Sequence, residues 1–221
     1  MTIAAETSFV LRYFNVIGRA EGCRMLLTAA NANWTEENPE WPAAKEKQPF
    51  GRLPVLVEKS GNGDEWIICE TGTIERYLAR TFGFLPADLK RAAEQEQMSD
   101  QHADLTEAFL NMARATRDKE ELVEEFDALL GRMIGEHQKI LSRNTCKNHL
   151  FGDSLTYGDI AFYTFYKLFI VYMPVYQNDI AGIVKAKMSP EIVALLARIE
   201  QEPLLAPHMS KCESLAAQLT A

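Results

Sequence analysis

The sequence predicts two domains of different class, an α/β domain followed by an all-helical domain, and two observations indicate this division. Up to residue 84, short apolar and aromatic runs alternate with amphipathic helix patterns, as in a sheet covered by helices. From residue 89 onward, apolar residues recur only at helical spacing. We therefore predict two domains, one formed by residues 1–84 and the other by residues 89–221.

The first domain is predicted to begin with a strand and a helix. Residues 8–14 form a short aromatic and β-branched run that ends at an Asn, which is typical of a strand. Residues 19–30 place Met, Leu and Ala side chains on one face, which indicates a helix. The segment that follows, around Trp34 and Trp41, fits neither pattern, and we predict no regular element there.

A hairpin and a second helix complete the first domain. Residues 53–58 and 65–69 have strand composition, and the turn-forming sequence Ser-Gly-Asn-Gly-Asp joins them. Ile74, Leu78 and Phe82 then recur at four-residue steps, which predicts a helix. The predicted order is therefore β-α-(unassigned)-β-β-α.

The second domain is predicted to contain two long helices and a strong helix start. Residues 88–143 contain no Pro, and their apolar residues recur at helical spacing. Thr156 and Asp159 form a carboxylate variant of the capping box at the start of a further apolar helix. We interpret this box as a folding device rather than a functional site.

Composition and charge restrict the function. The 221 residues carry 23 Lys and Arg against 31 Asp and Glu, a net charge of −8, which disfavours a nucleic-acid partner. Neither a signal peptide nor a membrane-spanning run is found, so we expect a cytoplasmic protein without membrane contact. The cysteines Cys23, Cys69, Cys146 and Cys212 lie far apart, which predicts free thiols and no metal site.

The Leu53-Pro54 pair begins a predicted strand and allows two interpretations. In the first, the bond is cis, and Leu53 presents its N–H and C=O as a free β-edge to an extended peptide. In the second, it is an ordinary trans proline at the first residue of a strand, which is the more common case. The sequence around the pair leaves both open.

Three further features could bind an anionic or zwitterionic ligand, although each also has a purely structural explanation. Tyr13 ends the first strand beside a helix start, where its hydroxyl can donate to an anion or its ring can pack in the core. Trp41 and Lys45 could present an N–H and an ammonium on one helix face, or could merely pack and be solvated. Glu70 and Thr71 precede a helix, where they could bind an ammonium and a carboxylate or simply cap it.

Taken together and in order, these segments resemble the cytosolic glutathione transferases of the tyrosine type. The resemblance rests on Tyr-Phe-Asn-Val-Ile-Gly-Arg-Ala-Glu at 13–21, Trp-Pro-Ala-Ala-Lys at 41–45, Pro-Phe-Gly-Arg-Leu-Pro at 49–54, Glu-Thr at 70–71 and the box at 155–159. It covers nearly the whole chain and looks most like the sigma class, which includes haematopoietic prostaglandin D synthase. It implies a thioredoxin-like N-terminal domain that binds glutathione and an all-helical domain that covers the second substrate.

The resemblance assigns the sulfur and glycyl ends of the glutathione site. Tyr13 matches the catalytic tyrosine that hydrogen-bonds the glutathione sulfur, and Arg19 matches the arginine beside that sulfur. Trp41 and Lys45 match the residues that hold the glycyl carboxylate. Ile17 stands where tyrosine-type classes often have another basic residue, so Arg19 is expected to carry more of the charge.

The same resemblance assigns the rest of the glutathione site. Leu53 matches the residue whose backbone pairs with the cysteinyl unit, and Pro54 matches the cis-proline. Glu70 and Thr71 match the pair at the γ-glutamyl end, with Glu70 in place of the Gln usual in the sigma and alpha classes. Asp100 looks like the aspartate that reaches the γ-glutamyl ammonium in the neighbouring subunit, which implies a homodimer.

The predicted function is conjugation of the glutathione thiolate to hydrophobic electrophiles, a detoxifying reaction with glutathione as co-substrate and no metal. An unperturbed thiol titrates near ~8.5, and a hydroxyl donor, a cation and a helix N-terminus each favour the reactive thiolate. Two alternatives share the same residues. One is a glutathione-dependent isomerisation, for example of a prostaglandin endoperoxide; the other is a ligand-binding or crystallin-like protein without turnover.

Overall fold

The computed structural model describes residues 7–117, 119–144, 148–175 and 179–212. They form two compact units: the described parts of Met1–Pro86 with Glu200–Ala221, and Ala87–Ile199. The segment from Glu200 was predicted to be part of the helical domain, but it packs with the N-terminal unit because Leu205 is buried in a turn that contacts the first helix. No helix of the described residues is long and apolar enough to cross a bilayer.

The N-terminal unit contains a four-stranded mixed sheet. Its strands have the spatial order β2-β1-β3-β4, with β1 parallel to β2 and antiparallel to β3, and β3 antiparallel to β4. The strands are β1 (Ser8–Arg12), β2 (Trp34–Glu37), β3 (Val55–Lys59) and β4 (Glu65–Cys69).

Two helices accompany the sheet, α1 (Glu21–Ala29) and α2 (Thr71–Thr81). They contact each other, and α2 also contacts β3 and β4. Leu11, Leu26, Leu56, Ile74 and Leu78 are fully buried, so the sheet and both helices contribute to one apolar core. This arrangement confirms the predicted α/β class. Strand β2 was not predicted, because its Thr-Glu-Glu sequence becomes a strand only through pairing with β1.

The second unit is helical, which confirms the predicted all-α class. Its first two helices are the two long ones expected from apolar spacing. The helices are α3 (Leu89–Arg114), α4 (Lys119–Arg143), α5 (Tyr157–Lys167), α6 (Ile180–Lys187) and α7 (Pro190–Glu200). A wider turn of π type, Leu168–Tyr172, prolongs α5, and a single 3-10 turn follows at Met173–Val175. Three further 3-10 turns lie in the N-terminal unit, at Lys45–Lys47, Pro49–Gly51 and Pro203–Leu205.

The start of α5 is held by the predicted capping box. One Asp159 carboxylate oxygen accepts the Thr156 N–H at 2.9 Å and the Thr156 hydroxyl at 2.6 Å. The other oxygen accepts the backbone N–H of Leu150 at 2.5 Å. Asp159 is fully buried, so these bonds satisfy polar groups that would otherwise be costly to bury. The box therefore acts as a folding device, as interpreted from the sequence.

Candidate functional site

The strand register brings three of the candidate segments to one edge of the sheet. The last residue of β1 pairs with the first residue of β3, which in turn pairs with the last residue of β4. The residues just beyond these pairs are Tyr13, Pro54 and Glu70. Neighbouring strands lie about 4.8 Å apart, so the three residues span about 10 Å. That distance suits a short extended peptide lying across the ends of the strands.

Tyr13 is buried, with 7% of its surface exposed, and its hydroxyl oxygen accepts the backbone N–H of Arg19 at 3.0 Å. Burial raises the pKa of the Tyr13 phenol, and the bond from the Arg19 N–H offsets only part of this effect. The phenol therefore stays protonated at neutral pH. Because its oxygen already accepts one bond, the O–H can donate to a ligand.

Gly18 sets how closely the loop after β1 approaches the Tyr13 hydroxyl. A Cβ at this position would lie 2.8 Å from the Tyr13 oxygen, closer than a real contact allows. Any side chain here would therefore displace either the loop or the hydroxyl. The glycine keeps the Arg19 N–H within hydrogen-bond distance of the phenol.

A second arginine, Arg24, is part of this region and was not predicted from the sequence. Its guanidinium lies over the Tyr13 ring, 5.5 Å from the centroid. It donates hydrogen bonds to the carbonyls of Phe14 at 3.0 Å and Val16 at 2.8 Å. Arg24 therefore fixes the backbone that follows Tyr13. A signal was present in the sequence, since Arg24 lies one turn before the apolar Leu27 on the predicted helix, and Leu27 is fully buried.

Two carboxylates compensate the buried charge of Arg24. The guanidinium donates to Glu21 at 2.8 Å, and its Nε donates to Glu36 at 2.8 Å. Burial alone would raise the pKa of Glu21, but hydrogen bonding and charge from His208 and Arg24 hold that pKa below its ordinary value. Glu21 is therefore ionised, and the three side chains form a buried ionic cluster that links α1 to β2.

Trp41 and Lys45 follow a different backbone from the predicted helix. The Trp41–Pro42 bond is cis, and a turn leads into the 3-10 turn Lys45–Lys47. The Trp41 ring packs edge-on against Phe14 at 5.6 Å, and Phe14 in turn lies 5.4 Å from Tyr13. Trp41 thus lies beside the loop after β1. Lys45 is exposed and packs along Gly51, whose φ is +58°.

Leu53 and Pro54 connect this loop to β3, and the bond between them is cis, as in the first of the two interpretations. The Leu53 side chain packs against the buried cluster of Val10, Val55 and Val57. Among the turn and loop hydrogen bonds of the described residues, none involves the Leu53 N–H or carbonyl. The Leu53 backbone therefore fits the role of a β-edge for a peptide.

Glu70 and Thr71 form the junction between β4 and α2. Glu70 has φ 71°, a left-handed conformation that is rare for a residue with a side chain and is often found at functional sites. Its carbonyl accepts the N–H groups of Thr73 and Ile74, at 3.0 and 2.9 Å, and so starts α2. The Glu70 side chain is exposed beside the helix N-terminus, where a carboxylate and an ammonium can bind together.

The remaining candidates lie in the helical unit or outside the described residues. Asp100 is exposed on α3, and its role in a neighbouring subunit stays a prediction. Phe109 and Met112 are apolar residues that the sequence allows either to line a second-substrate pocket or to pack in the core, and both are buried in the core of the helical unit. Phe14, a further candidate for that pocket, lies beside Tyr13. The last candidate, the segment 215–219, lies outside the described residues.

Two protein families match the two parts of the chain. The family described as "Glutathione S-transferase, N-terminal domain" matches residues 9–80, and "Glutathione S-transferase, C-terminal domain" matches residues 100–211. Together they contain every candidate site residue from Tyr13 to Asp100. These matches agree with the family that the sequence resembles.

Individual relatives match parts or most of the chain. S-crystallin 2 of Enteroctopus dofleini is 37% identical over 108 residues, 48% of each chain. Probable glutathione S-transferase 6 of Caenorhabditis elegans is 31% identical over 162 residues, 69% of this chain and 75% of the relative. Hematopoietic prostaglandin D synthase of Gallus gallus is 27% identical over 209 residues, 92% of this chain and 96% of the relative.

Solved structures support the fold. A sigma class GST of Fasciola hepatica superposes with a TM-score of 0.76 at 24% identity, covering 93% of this chain and 97% of the other. A glutathione S-transferase of Necator americanus, described as monomeric, superposes with a TM-score of 0.71 at 26% identity, covering 92% and 97%. The chain therefore belongs to the glutathione S-transferase family.

Proposed function

We propose that this protein is a glutathione transferase that conjugates the glutathione thiolate to hydrophobic electrophiles. The observation that carries the proposal is the sheet edge at which Tyr13, cis-Pro54 and Glu70 end or begin three adjacent strands. A peptide lying across this edge has a hydroxyl donor at one end and a helix N-terminus with a carboxylate at the other. Glutathione offers the matching groups, a thiol in the middle and an amino acid at one end.

The contacts of glutathione follow from this arrangement. The Leu53 N–H and C=O pair with the cysteinyl unit as a short β-ladder. Glu70 accepts the γ-glutamyl ammonium, and Thr71, at the start of α2, binds the γ-glutamyl carboxylate with its hydroxyl and N–H. Lys45 and the Trp41 indole N–H bind the glycyl carboxylate. Each contact matches a charged or polar group of the peptide with its complement.

The reaction requires the thiolate beside an electrophile. The Tyr13 O–H donates to the sulfur, and the Arg19 charge favours its anionic form, so the pKa of the bound thiol falls. The sulfur then attacks an electrophilic carbon. With a chlorinated nitroarene, the S–C bond forms, the C–Cl bond breaks, chloride leaves and the thiol proton passes to solvent. Binding both reactants supplies proximity.

Two relatives favour alternative uses of the same site. The match to hematopoietic prostaglandin D synthase supports a glutathione-dependent isomerase as second candidate, which would use the same thiolate and differ in the second pocket. The match to S-crystallin 2 supports a protein without turnover. The buried, protonated Tyr13 with an O–H available to donate favours the enzymatic candidates.

The protein is further proposed to act as a cytoplasmic homodimer. Phe50 has 79% of its surface exposed on a turn with φ 51°, and a second copy would bury this apolar ring. The described cysteines Cys23, Cys69 and Cys212 are free thiols, which suits a reducing compartment. Because the Necator americanus relative is described as monomeric, sedimentation equilibrium of this protein is the deciding measurement for the dimer.

The function is tested by retention on immobilised glutathione and by turnover of a chlorinated nitroarene. Retention with turnover is the expected result. Lys45→Ala should weaken retention, because it removes the ammonium that binds the glycyl carboxylate of glutathione. Retention with prostaglandin endoperoxide isomerisation but no conjugation would favour the second candidate. Binding without either reaction would favour the crystallin-like alternative, and the absence of binding would refute all three.

A further inference from the structure

Three side chains that can bind a metal meet beside α1, next to the Arg24 cluster described above. The His208 Nε2 lies 2.8 Å from the Glu21 Oε1, and the Cys212 Sγ lies 3.4 Å from that oxygen and 3.3 Å from His208 Nε2. All three ligand atoms lie within 4.8 Å of one another. His208 and Cys212 are four residues apart in the helical segment 206–212, so they share one face of it.

The triangle of ligand atoms is close to the one that zinc requires. Zn–S bonds of about 2.3 Å and Zn–N and Zn–O bonds of about 2.0 Å, at tetrahedral angles, place such ligand atoms about 3.3–3.6 Å apart. The two distances to sulfur, 3.3 and 3.4 Å, nearly meet this condition. The N–O distance of 2.8 Å must lengthen by about half an ångström, which a side-chain rotation can supply.

A small cavity lies beside all three residues. Its volume is about 10 Å³, the room for one water molecule or one ion, and its lining includes Glu21, His208 and Cys212. The cavity is lined by further polar residues, among them Asn15 and Lys211. It leaves the fourth position of a tetrahedral ion to a water molecule.

The surrounding charges orient the carboxylate without blocking it. Arg24 binds the other Glu21 oxygen, Oε2, at 2.8 Å, so Oε1 points toward His208 and Cys212. Arg24 also contacts Glu36, which binds Lys211 at 3.0 Å. The two cations and the two carboxylates cancel, so a bound divalent ion meets no net positive charge. Hydrogen-bonded partners of this kind typically orient the ligands of metal sites.

We propose that Glu21, His208 and Cys212 bind one Zn²⁺ ion that fastens the helical segment 206–212 to α1. The combination of nitrogen, sulfur and carboxylate ligands is one that zinc accepts in tetrahedral geometry. Cys212 loses its proton to solvent on binding, and the sulfur–metal bond replaces the S–H. Cysteine spacing predicted no metal site, because Glu21 and Cys212 lie 191 residues apart and no local pattern joins them. The proposal is independent of glutathione transfer.

Cobalt is the probe for this site because thiolate ligation of Co²⁺ produces a charge-transfer band in the near ultraviolet. Titration of the full chain, without an affinity tag and in glutathione-free buffer, should give the band with an endpoint of one ion per chain, and Zn²⁺ should displace it. Cys212→Ser should abolish the band. Cys69→Ser, which removes a half-buried thiol elsewhere in the same unit, should leave it unchanged. A missing band, or one that survives in Cys212→Ser, would overturn the proposal.

Two further measurements do not depend on the fold of the Cys212 variant. In the wild-type protein, Zn²⁺ should protect Cys212 from alkylation, mapped by mass spectrometry, while Cys69 stays reactive. Zn²⁺ should also raise the melting temperature by mass action, and His208→Gln should reduce both effects by lowering zinc affinity at least tenfold. Equal alkylation of Cys212 with and without zinc would refute the site.

Discussion

The two units of the protein bury different kinds of polar cluster. The N-terminal unit buries charges, because Arg24 and Glu21 are each only 6% exposed and both are ionised partners in one cluster. The helical unit buries one carboxylate, that of Asp159 in the capping box, and a pair of neutral histidines, His102 and His137. His137 bonds to His102 through Nε2 at 3.1 Å and to the Tyr166 hydroxyl through Nδ1 at 3.0 Å. The side chains of both clusters are hydrogen-bonded to one another, but only the Arg24 cluster is held together by charged side chains.

This difference predicts two separate acid responses. Burial lowers the pKa of His102 well below its ordinary value and that of His137 to about 4, so the unfolded chain takes up protons first as the pH falls. The helical unit therefore loses stability from about pH 6.5 downward. The Glu21 carboxyl also has a lowered pKa, but its ordinary value is 4.5, so its contribution is lost only below that pH.

The largest effect is expected from removing the buried cation. Arg24→Met leaves Glu21 and Glu36 without their partner, and breaking a buried ion pair costs about 3–5 kcal/mol of unfolding free energy. Arg12→Met is the matched control, since Arg12 pairs with Glu37 in an exposed position and such pairs contribute about 0–1 kcal/mol. Urea unfolding of both variants at pH 7 measures the two losses.

Equal losses in the two arginine variants would contradict the ionic character of the buried cluster. If adding Glu21→Gln to Arg24→Met partly restores the unfolding free energy, the loss in the single variant is due to charge, because the second change removes an uncompensated carboxylate. The hydrogen bonds from Arg24 to Phe14 and Val16 are lost in either case, so the double variant separates charge from backbone anchoring.

The next effect is the acid response of the histidine pair. Each buried neutral histidine is expected to cost the helical unit about 1.4 kcal/mol per pH unit below about 6.5, or about 2 kcal/mol by pH 5. Hydrogen exchange of the α3 and α5 amides between pH 7 and 5, corrected for intrinsic rates, should show this loss. His102→Gln combined with His137→Gln should flatten the dependence.

The N-terminal unit provides the internal control for that experiment. Amides of β1 and β3 should keep their protection down to about pH 5, because the Glu21 carboxyl does not titrate in that window. Equal loss of protection in both units over the same range would show that the histidine pair does not set the acid response.

A structural feature could be predicted from the sequence where the residues that determine it lie close together in the chain. The limits of β4 were predicted residue for residue, because a turn sequence and a β-rich run define that strand locally. The box at Thr156 and Asp159 was also predicted, since both partners lie within one turn. Strand β2 was missed because pairing with β1, rather than its own composition, makes it a strand.

Prediction of the candidate site from the sequence was limited in the same way. Tyr13, Pro54 and Glu70 were identified from local position, and the register shows why they meet. Arg24 was missed because a charged residue on a buried helix face is stable only with partners from other elements, here Glu36 on β2. His208 lies still further along the chain from Glu21, and no local pattern could have joined them.

Loss of the Tyr13 hydroxyl should affect activity rather than stability. A hydrogen bond to a charged group contributes about 1.5–3 kcal/mol, so Tyr13→Phe should lower turnover by roughly one to two decades while glutathione binding changes little. The pKa of the bound thiol should rise, which the ultraviolet absorbance of the thiolate reports against pH.

Tyr77→Phe is the matched control for the Tyr13 variant, since Tyr77 is a half-buried tyrosine that bonds to Glu58 on β3. It should leave both turnover and the thiol titration unchanged. If Tyr13→Phe leaves the titration midpoint unchanged, or weakens binding with turnover per complex preserved, then Tyr13 is a packing residue. Arg19 would then be the group that activates the sulfur.

The smallest effect tests whether the helical unit contributes a charge to the glutathione site of a neighbouring subunit. Asp100 is exposed on α3, and an exposed charge pair contributes about 0.2–1 kcal/mol, so Asp100→Asn should weaken glutathione binding by up to about fivefold with the proposed dimer intact. Asp104→Asn, one turn further along the same helix and also exposed, should have no effect. Calorimetric titration at low and high salt measures both variants, and the Asp100 effect should shrink with salt. Identical affinities for the two variants would place the binding charges entirely in the N-terminal unit, with Glu70 as the partner of the ammonium.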